Sequence, residues 1–223
     1  MPVLQRRTPG KSRSREGKTP VITVPQARAL MARIRTRKKS GDELVPYAVG
    51  LRDRAVIGVL VSAAARAGAV AKLRLKDFVH NGALWTLRFA EKGGKSREIP
   101  VRHDDLERYI VKYLDAAGIE NNSGDLPLFR SAERRTGRLT DKSISNVDLC
   151  RMVKRRLKDA ELPAHYSPHS FRVTTVTDLL ARGCRWKTCN TWPAALRFAF
   201  RRKRRPPQQN SWVNSGSGRA ASV

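Results

Sequence analysis

The chain has 223 residues, enough to bury one substantial core with or without an appended arm, and its 46 Lys+Arg against 19 Asp+Glu give a formal charge of +27. A charge of that size favours polyanionic partners through phosphate contacts and counterion release. Cys150, Cys184 and Cys189 form no paired framework and have no histidine nearby, which argues against a disulfide scaffold and a metal site; no run reaches the ~20 apolar residues of a membrane helix and no apolar signal opens the chain, so a cytoplasmic location is expected.

The charge is uneven. Residues 1–40 hold twelve Lys/Arg and one Glu, residues 184–223 hold nine and no acid, and the segment 41–183 nets only +7. Residues 1–22 read as a disordered basic arm. In residues 23–45, Pro25 suits the first turn of a helix continued by Leu30 and Ile34, until "SGDELVPY" interrupts it. "LRDRAVIGVLVSAAARAGAVAKLRLKDF" predicts a largely apolar helix through the core, broken at Gly68 with Arg66 at its exit, then a short second helix ending near Phe78. The period then changes to two: Leu84, Thr86 and Arg88 alternate with Trp85, Leu87 and Phe89, and Gly93-Gly94 supports a hairpin into a strand ending at Pro100.

"HDDLERYIVKYLDAAG" predicts a helix stopped by Gly118, "IENNSGDLPLFRSAERRTGRLT" a loop, and "DKSISNVDLCRMVKRRLKDAEL" a long basic helix. Pro163 and Pro168 bracket a turn before a last helix in "HSFRVTTVTDLLARG". The expected fold class is mainly α with a small antiparallel β-sheet, an α+β arrangement.

Three islands carry candidate chemistry: Arg66 beside a glycine turn, Lys92 and Lys95 at a hairpin tip, and His169 with Arg172, whose spacing of three puts both side chains on one helix face. Each alone is more often solvated surface than a site. Their order is more specific: Arg, about two dozen residues to a hairpin Lys, a long helical stretch, then His-x-x-Arg before a helix ending in "LLARG". Over roughly residues 45–183 this arrangement resembles the tyrosine recombinase, or phage integrase, family, so that 46–183 would be its catalytic domain. The resemblance implies Arg66, Lys92, His169 and Arg172 as catalytic residues, Lys92 as the general acid, and Arg74, Lys95 and Arg97 as DNA contacts. It implies cleavage of double-stranded DNA by a tyrosine that forms a 3′-phosphotyrosyl link, in integration or site-specific recombination by mobile elements, without metal or other cofactor. In the family the working form is a homo-tetramer on two duplexes. Two guanidinium forks suit the non-bridging oxygens where charge builds, and a lysine suits protonation of the leaving oxygen.

The chain departs from the pattern in three places. The acidic residue expected three after the first arginine is Ala69, and residues 1–45 are too few for the usual amino-terminal DNA clamp, of which the helix at Pro25 is a remnant or a linker. After Gly183 the expected helix, "GH" pair and nucleophilic tyrosine do not follow: no His comes after His169 and no Tyr after Tyr166. Tyr166 itself stands ahead of the helix, where the family has no nucleophile.

The genetic code offers a reason. Displacing the reading frame by one base forces Glu from Trp186-Lys187 and Ala from Trp192-Pro193, and gives Asp or Asn from Lys187-Thr188 and Gln or a stop from Cys189-Asn190. The displaced pattern admits "VPLEDVQYLAG", a helix like the one the family places here. Residues 184–223 are therefore read as an aberrant, out-of-frame basic tail, and "RRKRRPP" as its by-product. The reconstruction ends at Ala195, which cannot yield the expected His. On this reading the chain binds DNA but lacks the nucleophile. The rivals are a native basic arm at 184–223, a non-catalytic DNA-binding protein on the same scaffold, and an RNA-binding basic protein, which leaves the ordered Arg, Lys, His-x-x-Arg set without a reason.

Overall fold

The computed structural model describes residues 19–90, 96–101, 104–120, 124–133 and 136–181. The first helix, α1, spans Val24–Arg33 and is set by its start: the Thr23 side chain accepts from Gln26 N while Gln26 Oε1 accepts from Thr23 N at 2.9 Å, and Pro25 lies in the first turn. Strands β1 (Arg37–Ser40) and β2 (Glu43–Pro46) follow as a hairpin turning on Gly41 at φ +61°. "SGDELVPY" is thus strand and turn rather than a simple break, and its nearly full exposure explains why no apolar alternation announces it.

Helix α2, Ala48–Ala63, is the axis of the molecule. Ala55, Val56, Ile57, Val59 and Leu60 are all fully buried, so from Ala55 to Val61 it is apolar all round, as the middle of a core helix must be. Neighbours come very close. A Cβ at Gly58 would stand 2.9 Å from Leu106 of α4 (Asp104–Ala117), and one at Gly50 would collide with the backbone carbonyl of Arg35. Helix α2 ends at Ala64, which takes the left-handed conformation at φ 47°, four residues before the break expected at Gly68. Gly68 instead lies inside the short helix α3, Ala67–Ala71. The predicted second helix does not run to Phe78: a single 3-10 turn, Leu75–Asp77, leads into a strand.

That strand, β3 (Phe78–His80), pairs antiparallel with β4 (Trp85–Ala90), which pairs with β5 (Ser96–Val101). Trp85, Leu87 and Phe89 face the core as their alternation predicts. Helix α4 is followed by Gly118 at φ +60°, the position where a missing Cβ is needed.

The segment read as loop and long helix is corrected in detail. Strands β6 (Arg130–Ala132) and β7 (Leu139–Ser143) form a further hairpin, and α5 begins only at Asn146, running to Asp159. Ser145 sets that start: its hydroxyl accepts from Asp148 N at 3.0 Å, and a capping serine favours a helix beginning over one passing through. Helix α6, Pro168–Ala181, packs on α2, where Thr175 Oγ1 donates to Val61 O at 2.6 Å.

One core joins the six helices and the β3–β4–β5 sheet, and includes Ile22, Leu30 and Ile34 from the amino-terminal side. Each fully buried aliphatic side chain contributes about 1.5–3 kcal/mol. A charged hub sits inside it. Asp53 is wholly buried, and accepts from Arg52 at 2.7 and 3.1 Å on one oxygen and from Arg156 at 2.6 and 2.9 Å on the other. Arg52 Nη1 also donates to Arg130 O at 2.8 Å, so the hub ties α2 to α5 and to β6. Among the described residues no helix is long and apolar enough to cross a membrane, and no group of three His, Cys, Asp or Glu could hold a metal.

Candidate functional site

Where α2 ends, its last carbonyls have no partner within the helix and carry the negative end of its dipole, so the site collects cations. Arg172, on the second turn of α6, donates from Nη1 to Ala64 O at 2.5 Å. Arg97, on β5, donates from Nη2 to Ala63 O at 3.4 Å, and its guanidinium lies 5.8 Å from the Phe89 ring centre, a cation–π distance. Two residues beyond Ala64, Arg66 stands at the N-cap of α3. Its carbonyl accepts from Ala69 N at 2.9 Å and Val70 N at 3.1 Å, so its backbone is fixed, while its exposed guanidinium makes no hydrogen bond or ion pair among the described residues. The structure thus gathers arginines from a loop, a strand and a distant helix at one turn of chain.

The left-handed Ala64 makes this possible. An ordinary helical exit would carry the chain onward, whereas φ 47° reverses it, leaving Ala65 buried and Arg66 facing out. The conformation costs a non-glycine residue roughly 1–2 kcal/mol, which surrounding contacts must offset. The bond from Arg172 to the Ala64 carbonyl is one of them.

His169 is exposed, in the first turn of α6 and three residues before Arg172, so it shares that helix face. The turn is held by Ser170, whose N–H donates to Ser167 O at 2.9 Å and whose hydroxyl accepts from Ser167 N at 3.2 Å. Lys92 and Lys95 lie outside the described residues; the flanking register pairs Ala90 with Ser96. Residues 184–223 and 1–18 also lie outside them.

Arg74 stands differently. Its Nη1 pairs with Asp125 at 3.2 Å, and Lys76 reaches the same carboxylate at 2.7 Å. The Lys76 hydrogen bond and charge hold Asp125 below the usual carboxylate range. Tyr166 is buried, with its hydroxyl 3.1 Å from Gln26 Oε1 and 3.3 Å from Val21 O, so it is engaged with α1 and closed to a substrate.

Sequence reasoning set Arg97 among the outlying contacts. The structure brings it to the same turn as Arg172, and the signal for this was present: Arg97 stands opposite Phe89, on the face that meets the core. Chemically, a fixed turn bearing several guanidinium groups, one of them with all its donors unengaged among the described residues, can hold a tetrahedral oxyanion.

The model of the phage integrase family matches residues 21–190. The tyrosine recombinase XerC of Pelobacter propionicus is 32% identical over 134 residues, covering 60% of this chain and 40% of that protein. The XerC of Myxococcus xanthus is 30% identical over 143 residues, 62% of this chain and 45% of that one. Among solved structures, the XerH site-specific recombinase bound to a palindromic difH substrate, a post-cleavage complex, aligns with TM-score 0.54 at 19% identity over 74% of this chain and 43% of that one. The XerA recombinase aligns with TM-score 0.54 at 19% identity over 76% and 54%. At such identities the structural likeness is one of fold, α+β with small antiparallel sheets. The chain spans less than half the length of these XerC relatives.

Proposed function

The chain belongs to the phage integrase family, and from that premise we propose that it is the catalytic domain of a site-specific tyrosine recombinase that grips a DNA phosphodiester without cleaving it. The observation that carries this is the meeting of Arg172 and Arg97 on the carbonyls of Ala63 and Ala64, immediately before Arg66. In this reading Arg66 and Arg172 hold the two non-bridging oxygens of one phosphate, His169 donates a hydrogen bond to it, and Lys92 protonates the 5′-oxygen that leaves. Arg97, Lys95 and Arg74 contact neighbouring backbone; for Arg74 this requires release from Asp125. No metal or cofactor takes part, because guanidinium groups carry the charge that develops.

The missing step is the attack. In a complete enzyme a tyrosine oxygen forms a bond to phosphorus as the bond to the 5′-oxygen breaks, and that oxygen leaves with the proton. No tyrosine follows Tyr166 in this sequence, and Tyr166 is buried against α1. The out-of-frame reading of residues 184–223 supplies the cause. A non-catalytic DNA-binding role is the second reading, favoured by the same absence of a nucleophile.

The test uses a nicked suicide duplex that traps covalent intermediates. The chain alone should shift the duplex in a gel yet give no protein–DNA adduct. Supplying in trans a carboxy-terminal segment with the family's "GH" and tyrosine should restore an adduct, and Arg66→Ala should abolish that restored activity. An adduct from the chain alone overturns the proposal; no restoration in trans, with binding intact after Arg66→Ala, selects the second reading.

A further inference from the structure

A cleft of about 910 Å³ opens at the other end of α2, between the residues after α1, the β6–β7 hairpin and α5. With sixteen residues rising 1.5 Å each, α2 separates it by roughly 24 Å from the turn that carries Arg66. Arginines dominate its lining, and most have partners inside the protein. Arg33 pairs with Glu161 at 3.2 Å and Arg151 with Asp148 at 3.4 Å, while Arg52 and Arg156 close on Asp53. Two do not. Arg35 is exposed and its guanidinium makes no bond among the described residues. Arg155 is 59% exposed and approaches Asp53 only to 3.9 Å, and the two oxygens of that carboxylate already accept four N–H bonds from Arg52 and Arg156. The Tyr47 hydroxyl, on the same lining, also makes no hydrogen bond among the described residues.

We propose that this cleft is a docking groove for an acidic peptide segment of a partner protein, with Arg35 and Arg155 receiving its carboxylates. The chemistry selects a peptide over DNA on three counts. Duplex DNA is a convex cylinder whose major groove alone is ~12 Å wide, so it lies across a surface and does not enter a cleft of this volume. Glu133, Asp148 and Asp159 stand among the arginines, where they oppose a continuous track of phosphates but leave room for a few well-placed carboxylates. Val49, Ile144 and Met152, each only 3–5% exposed, form an apolar floor under the cleft, which suits the aliphatic side chains a peptide has and a sugar-phosphate backbone lacks. Arginine's planar fork then adds bidentate pairing, with direction as well as charge.

The charge of the whole chain makes a matched control essential. A fluorescein-labelled nonapeptide of alternating Glu and Leu is titrated by anisotropy at about 150 mM salt, where exposed charges beyond ~8 Å are screened. The Arg35→Glu/Arg155→Glu variant should weaken binding about tenfold or more, and Lys38→Glu/Lys112→Glu, the same change in charge on exposed residues outside the cleft, less than about threefold. The milder Arg155→Gln should weaken it about threefold with an unchanged thermal midpoint, which guards against misfolding of the double variant. Affinity for a duplex should fall equally in the two charge-reversed variants. Equal losses of peptide in both, no peptide binding by the unaltered chain, or a preferential loss of duplex from the cleft variant would each overturn the proposal, the last by making the cleft a DNA surface.

Discussion

Asp53 shows how one residue can decide whether a charged core is an asset or a fault. It is wholly buried and stays so because two guanidinium forks saturate both of its oxygens. Asp53→Asn leaves Arg52 and Arg156 facing a neutral amide, and should destabilise the fold by about 3–5 kcal/mol, read as a lower urea midpoint with an unchanged m-value. Tyr113 makes the matching case for pH. It is fully buried, burial pushes its phenol up from the ordinary 10.0, and its oxygen accepts from Arg130 N at 3.1 Å. A folded-state pKa above the unfolded one means stability present below pH ~10 is lost as the pH rises through it. Tyr113→Phe should be less stable at neutral pH by about 1–3 kcal/mol, because the Arg130 N–H loses its acceptor. That deficit should narrow in urea titrations above pH ~10. Asp53 is hard to see in a sequence, because "RDR" looks like ordinary solvated helix and nothing local tells that it faces inward, whereas Tyr113 continues the apolar stripe of Leu106, Ile110 and Leu114.

At the scale of elements, what could be read was what local chemistry dictates. Pro25 at a helix start, Gly118 past a helix end and the Trp85, Leu87, Phe89 alternation all lie where the chain placed them. What could not be read were β1–β2 and β6–β7, whose residues are exposed or half-buried and so lack a core-facing period. The end of α2 was also misplaced, since glycine is the usual left-handed residue and the chain uses Ala64. The start of α5 was missed because "DKSISN" has a single apolar residue, Ile144, too few to show a change of period, yet its serine is decisive. Ser145→Ala should lower the thermal stability by about 1 kcal/mol, and Ser145→Asp should retain it, both measured by calorimetry.

Across the whole molecule, charge and core occupy different parts of the chain. The buried apolar residues run from Ile22 to Phe171 among the described residues, whereas most of the +27 lies in residues 1–40 and 184–223. Removing residues 1–18 and 184–223 together should therefore leave a cooperative unfolding transition, while the slope of log affinity against log salt for duplex DNA becomes shallower by several units. An unchanged slope would place the DNA contacts wholly in the folded part. The candidate site divides in the same way: the order of Arg66, Lys92, His169 and Arg172 was legible, but the meeting of Arg97 and Arg172 on the turn just before Arg66 was not, because it depends on strand and helix packing far apart in sequence.

The grip of Arg172 on the Ala64 carbonyl has one more effect, on how the two positions share their work. Substituting Arg172 also loosens the turn from which Arg66 projects, so the energies of the two single substitutions cannot sum to that of the pair.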